Sequence, residues 1–112
     1  MPNISKKLSS FSKQEVAQLF SKAKRVLKKH PGLDILCAPT AQDFGRILII
    51  TSRKVGKASK RNLIRRRLKA IFYEEKLYEK GLDCIVIVKK EGINLPFKEL
   101  KGILRYVVKK TP

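Results

Sequence analysis

From Arg53 to Lys69 the chain reads Arg-Lys-Val-Gly-Lys-Ala-Ser-Lys-Arg-Asn-Leu-Ile-Arg-Arg-Arg-Leu-Lys, without one acidic residue. Placed on a helix at about 100° per residue, Arg61, Arg65 and Lys69 form one ridge, and Asn62 and Arg66 form the next. The strip is about 140° wide and borders an apolar arc of Ile64, Leu68, Ile71 and Phe72. Like charges four residues apart destabilise an isolated helix by a few tenths of a kcal/mol per pair. A solvated helix face usually mixes signs, whereas here the acids Glu74, Glu75 and Glu79 come only near the end. Phosphates would relieve the repulsion. Arg grips a phosphate through two parallel hydrogen bonds, and Lys acts as a mobile point charge. The candidate nucleic-acid contacts are therefore Arg53, Lys54, Lys57, Lys60, Arg61, Asn62, Arg65, Arg66 and Lys69. A helix start near Ser59 adds backbone N–H donors, which favour phosphate. Asn62 is neutral within the strip. It is a candidate for bonding RNA or a water on a bound metal ion; the plainer alternative is a solvent-facing amide.

Other chemistry is poorly supplied. Hydrolysis of a phosphodiester by two protein-bound metals needs several converging carboxylates, but the 9 acids are scattered. His30 is the only histidine and sits beside a Pro-Gly turn, where it reads as an ordinary helix-end residue. Cys37 and Cys84 lie in apolar runs, form no Cys-x-x-Cys pair and read as buried, reduced thiols. An active site made by the protein is therefore not expected.

The elements that must hold the basic helix can be read from caps and periodicity. Ser12 and Glu15 form a capping box, with Phe11 and Val16 at staple spacing. Val16, Leu19, Phe20, Ala23, Val26 and Leu27 predict a helix that runs to His30-Pro31-Gly32. Leu33 to Ala38 and Arg46 to Ser52 read as strands, with a loop from Pro39 to Gly45. A basic loop, Arg53 to Ser59, leads into a long helix from about Ser59 to Lys80, which Gly81 stops. Leu82 to Lys89 reads as a strand, Glu91 to Asn94 as a turn, and Pro96 opens a last helix. Its core face is Phe97, Leu100, Leu104, Val107 and Val108. Helices and strands mix without strict alternation, which predicts a two-layer α+β sandwich with helices on a small sheet. All 112 residues fit one domain, with residues 1–10 as a mobile basic arm.

Composition points to a polyanionic partner. There are 27 Lys and Arg against 9 Asp and Glu, a net charge of +18. Such an excess repels itself in the folded state and is kept for nucleic acid first, an anionic membrane surface second. The longest apolar runs, Ile47 to Ile50 and Cys84 to Val88, fall far short of the roughly 18 residues of a spanning helix. No apolar signal core follows Met1. A cytoplasmic, non-membrane protein is expected.

At Arg53-Lys54-Val55-Gly56-Lys57-Ala58 and then Arg61-Asn62-Leu63-Ile64-Arg65-Arg66, ending at Phe72, the sequence resembles the ribonuclease P protein family. That family's hallmark is an Arg-Asn-Arg helix motif after a basic Lys-Lys-x-Gly-x-Ala stretch. The resemblance continues through Leu82 to Lys90 and into the closing helix, from about Leu48 to Lys110. Leu63 stands where the motif usually has its second Arg, and Lys69 where another Arg is common. At helix one, Val16 and Phe20 align with two aromatics that face a cleft in the family.

The resemblance implies the order α-β-β-β-α-β-α, with a fourth short strand and a left-handed β-α-β crossover. It implies a non-catalytic protein subunit of a ribonucleoprotein endoribonuclease, whose RNA subunit carries the active site. The partners are that RNA and precursor tRNA, with one protein monomer per RNA. The protein binds the 5′ leader in a cleft between sheet and helix one. No cofactor is held firmly by the protein, and Mg2+ is required by the whole particle. For the leader cleft the residues are Phe20 for stacking, Ile35 and Cys37 beside it, and Arg46 with Lys54 for phosphates; the plainer alternatives are a Phe20 in the core and a solvated Arg46 and Lys54. The alternatives are a ribosomal protein binding structured rRNA and a DNA-binding regulator. The latter fits poorly, because a strand and loop precede the basic helix rather than a helix-turn-helix.

Overall fold

The computed structural model describes residues 10–27 and 30–110; most of the arm, residues 1–9, lies outside them. The elements are α1 (Lys13–Lys22), β1 (Lys24–Leu27), β2 (Leu33–Pro39), β3 (Ile47–Thr51), α2 (Ala58–Glu74), β4 (Leu82–Val88) and α3 (Phe97–Lys110). They form the expected α+β sandwich of three helices on a four-stranded mixed sheet.

The sheet order is β1-β2-β4-β3. β2 is antiparallel to both β1 and β4, whereas β3 runs parallel to β4. Adjacent parallel strands need a crossover, and α2 supplies it. β2 and β4 lie inside the sheet between two covering layers. Their near-continuous apolar sequences, Leu-Asp-Ile-Leu-Cys-Ala-Pro and Leu-Asp-Cys-Ile-Val-Ile-Val, follow from that position.

The main core lies between the sheet and the pair α2 and α3. α2 contributes Ile64, Leu68, Ile71 and Phe72, the arc expected from the sequence. α3 contributes Leu100, Leu104, Val107 and Val108, whereas Phe97 at its first turn stays exposed. Leu33, Ile35, Cys37, Cys84, Val86 and Val88 point into this layer from β2 and β4. The opposite face carries Leu36, Ala38, Leu48, Ile50, Ile85 and Ile87, and α1 packs there through Leu19.

Two sequence expectations need correction. The first helix ends at Lys22, not at His30, because Lys24–Leu27 pairs with β2. Val26 and Leu27 keep helical spacing from Ala23, yet they pack on the main core from a strand. This short strand is the fourth one that the family resemblance implies. The long helix ends at Glu74, followed by left-handed Lys76 and a 3-10 turn over Leu77–Lys80. Gly81 does close this segment, in the left-handed region at φ 74°. Loops cross tightly at Gly92, where an added Cβ would fall 2.0 Å from the Gly32 carbonyl oxygen.

Candidate nucleic-acid interface

The basic strip forms on α2 as its periodicity requires. Asn62, Arg66 and Lys69 are exposed, and Arg61 and Arg65 are half-buried. Arg65 reaches the end of β3, where its Nη2 donates to Thr51 Oγ1 at 2.6 Å. Its Nη1 also donates to Asn62 Oδ1 at 3.4 Å. The Asn62 carbonyl thus lies against the Arg65 guanidinium in a long, exposed contact. Lys60 Nζ donates to Asn94 Oδ1 at 3.0 Å. Arg67, off the strip, donates to the Leu95 carbonyl at 3.3 Å and ties α2 to the turn before α3.

The strip begins beside a basic turn. Arg53 and Lys54 are exposed in the 3-10 turn that follows β3, and buried Val55 anchors it. Lys57 is the N-cap of α2, and no side chain caps that end. Its first-turn N–H groups add positive potential where Lys57 and Lys60 already stand.

The second surface is the sheet face under α1. Register places Arg25, Leu36, Ile85 and Leu48 in one row across the four strands. Asp34, Ile87 and Ile50 make the next row. Leu19 seals one end of this face against Ala38 and Ile85. Leu36, Leu48, Ile50 and Ile87 remain half-buried, so a partly open apolar floor lies beside the helix. Arg25 is exposed on the β1 edge, and Lys89 pairs with Asp34 at 3.1 Å near the far end. Phe20 follows Leu19 and is 41% exposed, outside the core.

Three of the cleft residues expected from the sequence sit elsewhere. Ile35 and Cys37 are 0% and 3% exposed and face α2 and α3. Successive strand residues alternate faces, so the floor residue of β2 is their neighbour Leu36. The sequence shows that alternation but not which parity meets which layer. Arg46 is 8% exposed, and its guanidinium is engaged internally. Nη1 lies 2.9 Å from Glu15 Oε2 and donates to the Ser10 carbonyl at 2.9 Å, while the group lies 4.2 Å from the Phe11 ring centroid. Arg46 is thus not a free phosphate ligand.

Several other chemical groups are committed to structure. Glu75 pairs with Lys101 and Arg105. Asp83 accepts from the Arg46 backbone N–H at 2.9 Å. His30 Nδ1 accepts from the Gly32 N–H at 3.0 Å, a turn contact. The Cys37 thiol donates to Cys84 Sγ at 3.6 Å, both buried. No group of three His, Cys, Asp or Glu that could hold a metal occurs among the described residues, and none of their helices is long and apolar enough to cross a membrane.

A helix whose basic strip holds no acid, packed on one face of a sheet whose other face is half open, defines an RNA-binding protein. Residues 5–112 match the Ribonuclease P family. The chain belongs to the ribonuclease P protein component family, subunits of the tRNA-processing ribonucleoprotein endoribonuclease, and the ribosomal alternative falls away. It is 34% identical over 100 residues to the ribonuclease P protein component of Petrotoga mobilis, covering 84% of this chain and 81% of that one. With the Bacillus velezensis protein it shares 30% over 107 residues, 95% and 91% of the two chains. With that of Halalkalibacterium halodurans it shares 33% over 70 residues, 62% of this chain and 59% of the other. The solved RNase P protein of Thermotoga maritima superposes with a TM-score of 0.77 at 23% identity, over 93% of this chain and 97% of that one. That of Staphylococcus aureus gives 0.74 at 21%, over 91% and 93%. At these identities the structures speak to the fold.

Proposed function

We propose that this protein binds the ribonuclease P RNA through the α2 strip and the 5′ leader of precursor tRNA on the open sheet face, promoting removal of the leader. One observation carries the reading. The two surfaces share strand β3: Thr51 at its end holds Arg65 of the strip, while Leu48 and Ile50 form part of the apolar floor. A single rigid element therefore fixes the distance between RNA subunit and leader.

Arg61, Arg65, Arg66 and Lys69 neutralise phosphates of the RNA subunit, and Arg53, Lys57 and Lys60 extend that contact to the basic turn. Leader bases lie on Leu36, Ile50 and Ile87, with Phe20 as a stacking surface, worth roughly 1–3 kcal/mol per base and tolerant of sequence. Arg25, and Lys54 past the end of β3, take leader phosphates. The RNA subunit supplies the catalytic centre, with Mg2+ bound chiefly by RNA. The protein's contribution is charge and positioning, which raises substrate affinity and lowers the magnesium demand. It acts as one monomer per RNA, in the cytoplasm with its substrate. Asn62 Oδ1 is taken by Arg65, so a metal-bound water at that atom would compete with a weak bond.

Site-directed crosslinking tests the division of labour. A photoreactive group at position 66 should label the RNA subunit, and one at position 36 or 87 the leader. Labelling of the same RNA segment from both faces would refute it.

A further inference from the structure

Arg46 is a buried cation, and a buried charge is tolerated only when paired and hydrogen-bonded. Among the described residues, its guanidinium partners belong to the segment that carries α1. Ser10 offers its carbonyl, Phe11 its ring face, and Glu15 its carboxylate. Its backbone N–H, by contrast, is held by Asp83 Oδ1 in the sheet. One residue just before β3 thus joins the sheet to the first turn of α1. That helix has 10 residues and buries only Leu19 fully, so apolar contact alone docks it lightly. Glu15 serves three partners, because its Oε1 also accepts from the Ser12 backbone N–H at 3.0 Å in the capping box and its Oε2 from Gln42 Nε2 at 3.4 Å.

We infer that Arg46 is a positioning residue for the 5′ leader. It touches no RNA; it sets how α1, with Phe20, stands over the floor of Leu36, Leu48, Ile50 and Ile87. The inference rests on the leader reading above and assigns a role within that site. A Lys at this position keeps the charge but lacks the flat guanidinium that lies on the Phe11 ring while its Nη1 meets Glu15 and the Ser10 carbonyl. Charge alone is therefore not sufficient.

The test uses the particle reconstituted with its RNA subunit. Affinity is measured across salt for precursor tRNA with a leader and for leaderless tRNA, and the ratio of the two is the leader increment. Arg46→Ala and Arg46→Lys should both lose about tenfold of that increment, one charge-assisted contact in scale. Leaderless binding and the salt slope should stay unchanged. Glu15→Gln should act in the same direction, and the double variant Arg46→Ala with Glu15→Gln should be no worse than Arg46→Ala alone, as expected for one coupled unit. Phe11→Leu and Glu15→Gln carry the test if Arg46→Ala fails to fold by circular dichroism. Rescue by Arg46→Lys together with a slope lowered by about one unit in Arg46→Ala would make Arg46 a phosphate ligand and overturn the inference. An unaltered leader increment in the folded variants would overturn it too. A wild-type particle with no leader increment would instead sink the leader reading itself, and this inference with it.

Discussion

Arg65 Nη2 donates to Thr51 Oγ1 at 2.6 Å, so the middle of the basic helix is tied to the last residue of the edge strand. Long cationic side chains lose rotamer freedom when they bind, and a guanidinium already held loses less. Arg66, one position on, is exposed and has no such anchor among the described residues. The two neighbours should therefore respond differently to changes nearby. Arg65→Ala and Arg66→Ala should each reduce the salt slope of RNA-subunit binding by about one unit, the signature of one lost phosphate contact. Thr51→Val keeps every charge, so it should weaken binding severalfold with the slope unchanged. Binding titrations at several salt concentrations check all three.

The assignment of faces gives a sharper contrast. Leu36→Ala and Ile87→Ala alter the half-buried floor and should lower affinity for leader-bearing substrate while leaderless tRNA binds as before. Ile35→Val, one residue from Leu36, alters the opposite core and should cost about 0.5–1.5 kcal/mol of stability without touching the leader increment. Paired thermal melts and substrate titrations separate the two. A leader defect in Ile35→Val would reverse the assignment.

Acid should loosen α1. The Ser12 backbone N–H first, and the Arg46 guanidinium after it, hold the Glu15 carboxyl below the ordinary carboxylate range. A carboxylate with a lowered native pKa adds stability that is fully present above its unfolded pKa and lost as pH falls through the native one. Stability should therefore decline below the ordinary carboxylate range, and Glu15→Gln should have a smaller acid-induced loss over that window. Thermal melts of the two proteins from neutral pH downward would show curves that converge in acid.

The paired thiols should be inert in the native protein. The contact with Cys37, and then burial, push the Cys84 thiol well above its ordinary range, and the thiolate is the reactive form. A chromogenic disulfide reagent at neutral pH should react slowly until denaturant is added, then titrate the 2 cysteines of the chain. Fast stoichiometric reaction without denaturant would contradict the buried placement.

What the sequence shows plainly is whatever one element decides alone. The cap at Ser12 and Glu15, the apolar arc of α2 and the strip beside it are local, and they stand in the structure as their spacing requires. The end of α1 is not local. Val26 and Leu27 satisfy a helical period, but the exposed edge of β2 offers Lys24–Leu27 a ladder, and sheet pairing overrides the pattern. The choice between Ile35 and Leu36 depends on which helices land on which face, a fact of tertiary packing. Arg46 misleads for a similar reason: its partners Ser10, Phe11 and Glu15 are more than 30 residues away in the chain, and only the fold brings them together.

The most direct measurement is reconstituted cleavage. The purified protein is mixed with the ribonuclease P RNA of its own source and a leader-bearing precursor tRNA at low magnesium, with each component alone as control. We expect cleavage at the mature 5′ end in the mixture, little with RNA alone and none with protein alone. A mixture no better than RNA alone would contradict the proposed role, and cleavage by protein alone would contradict an RNA-borne active site.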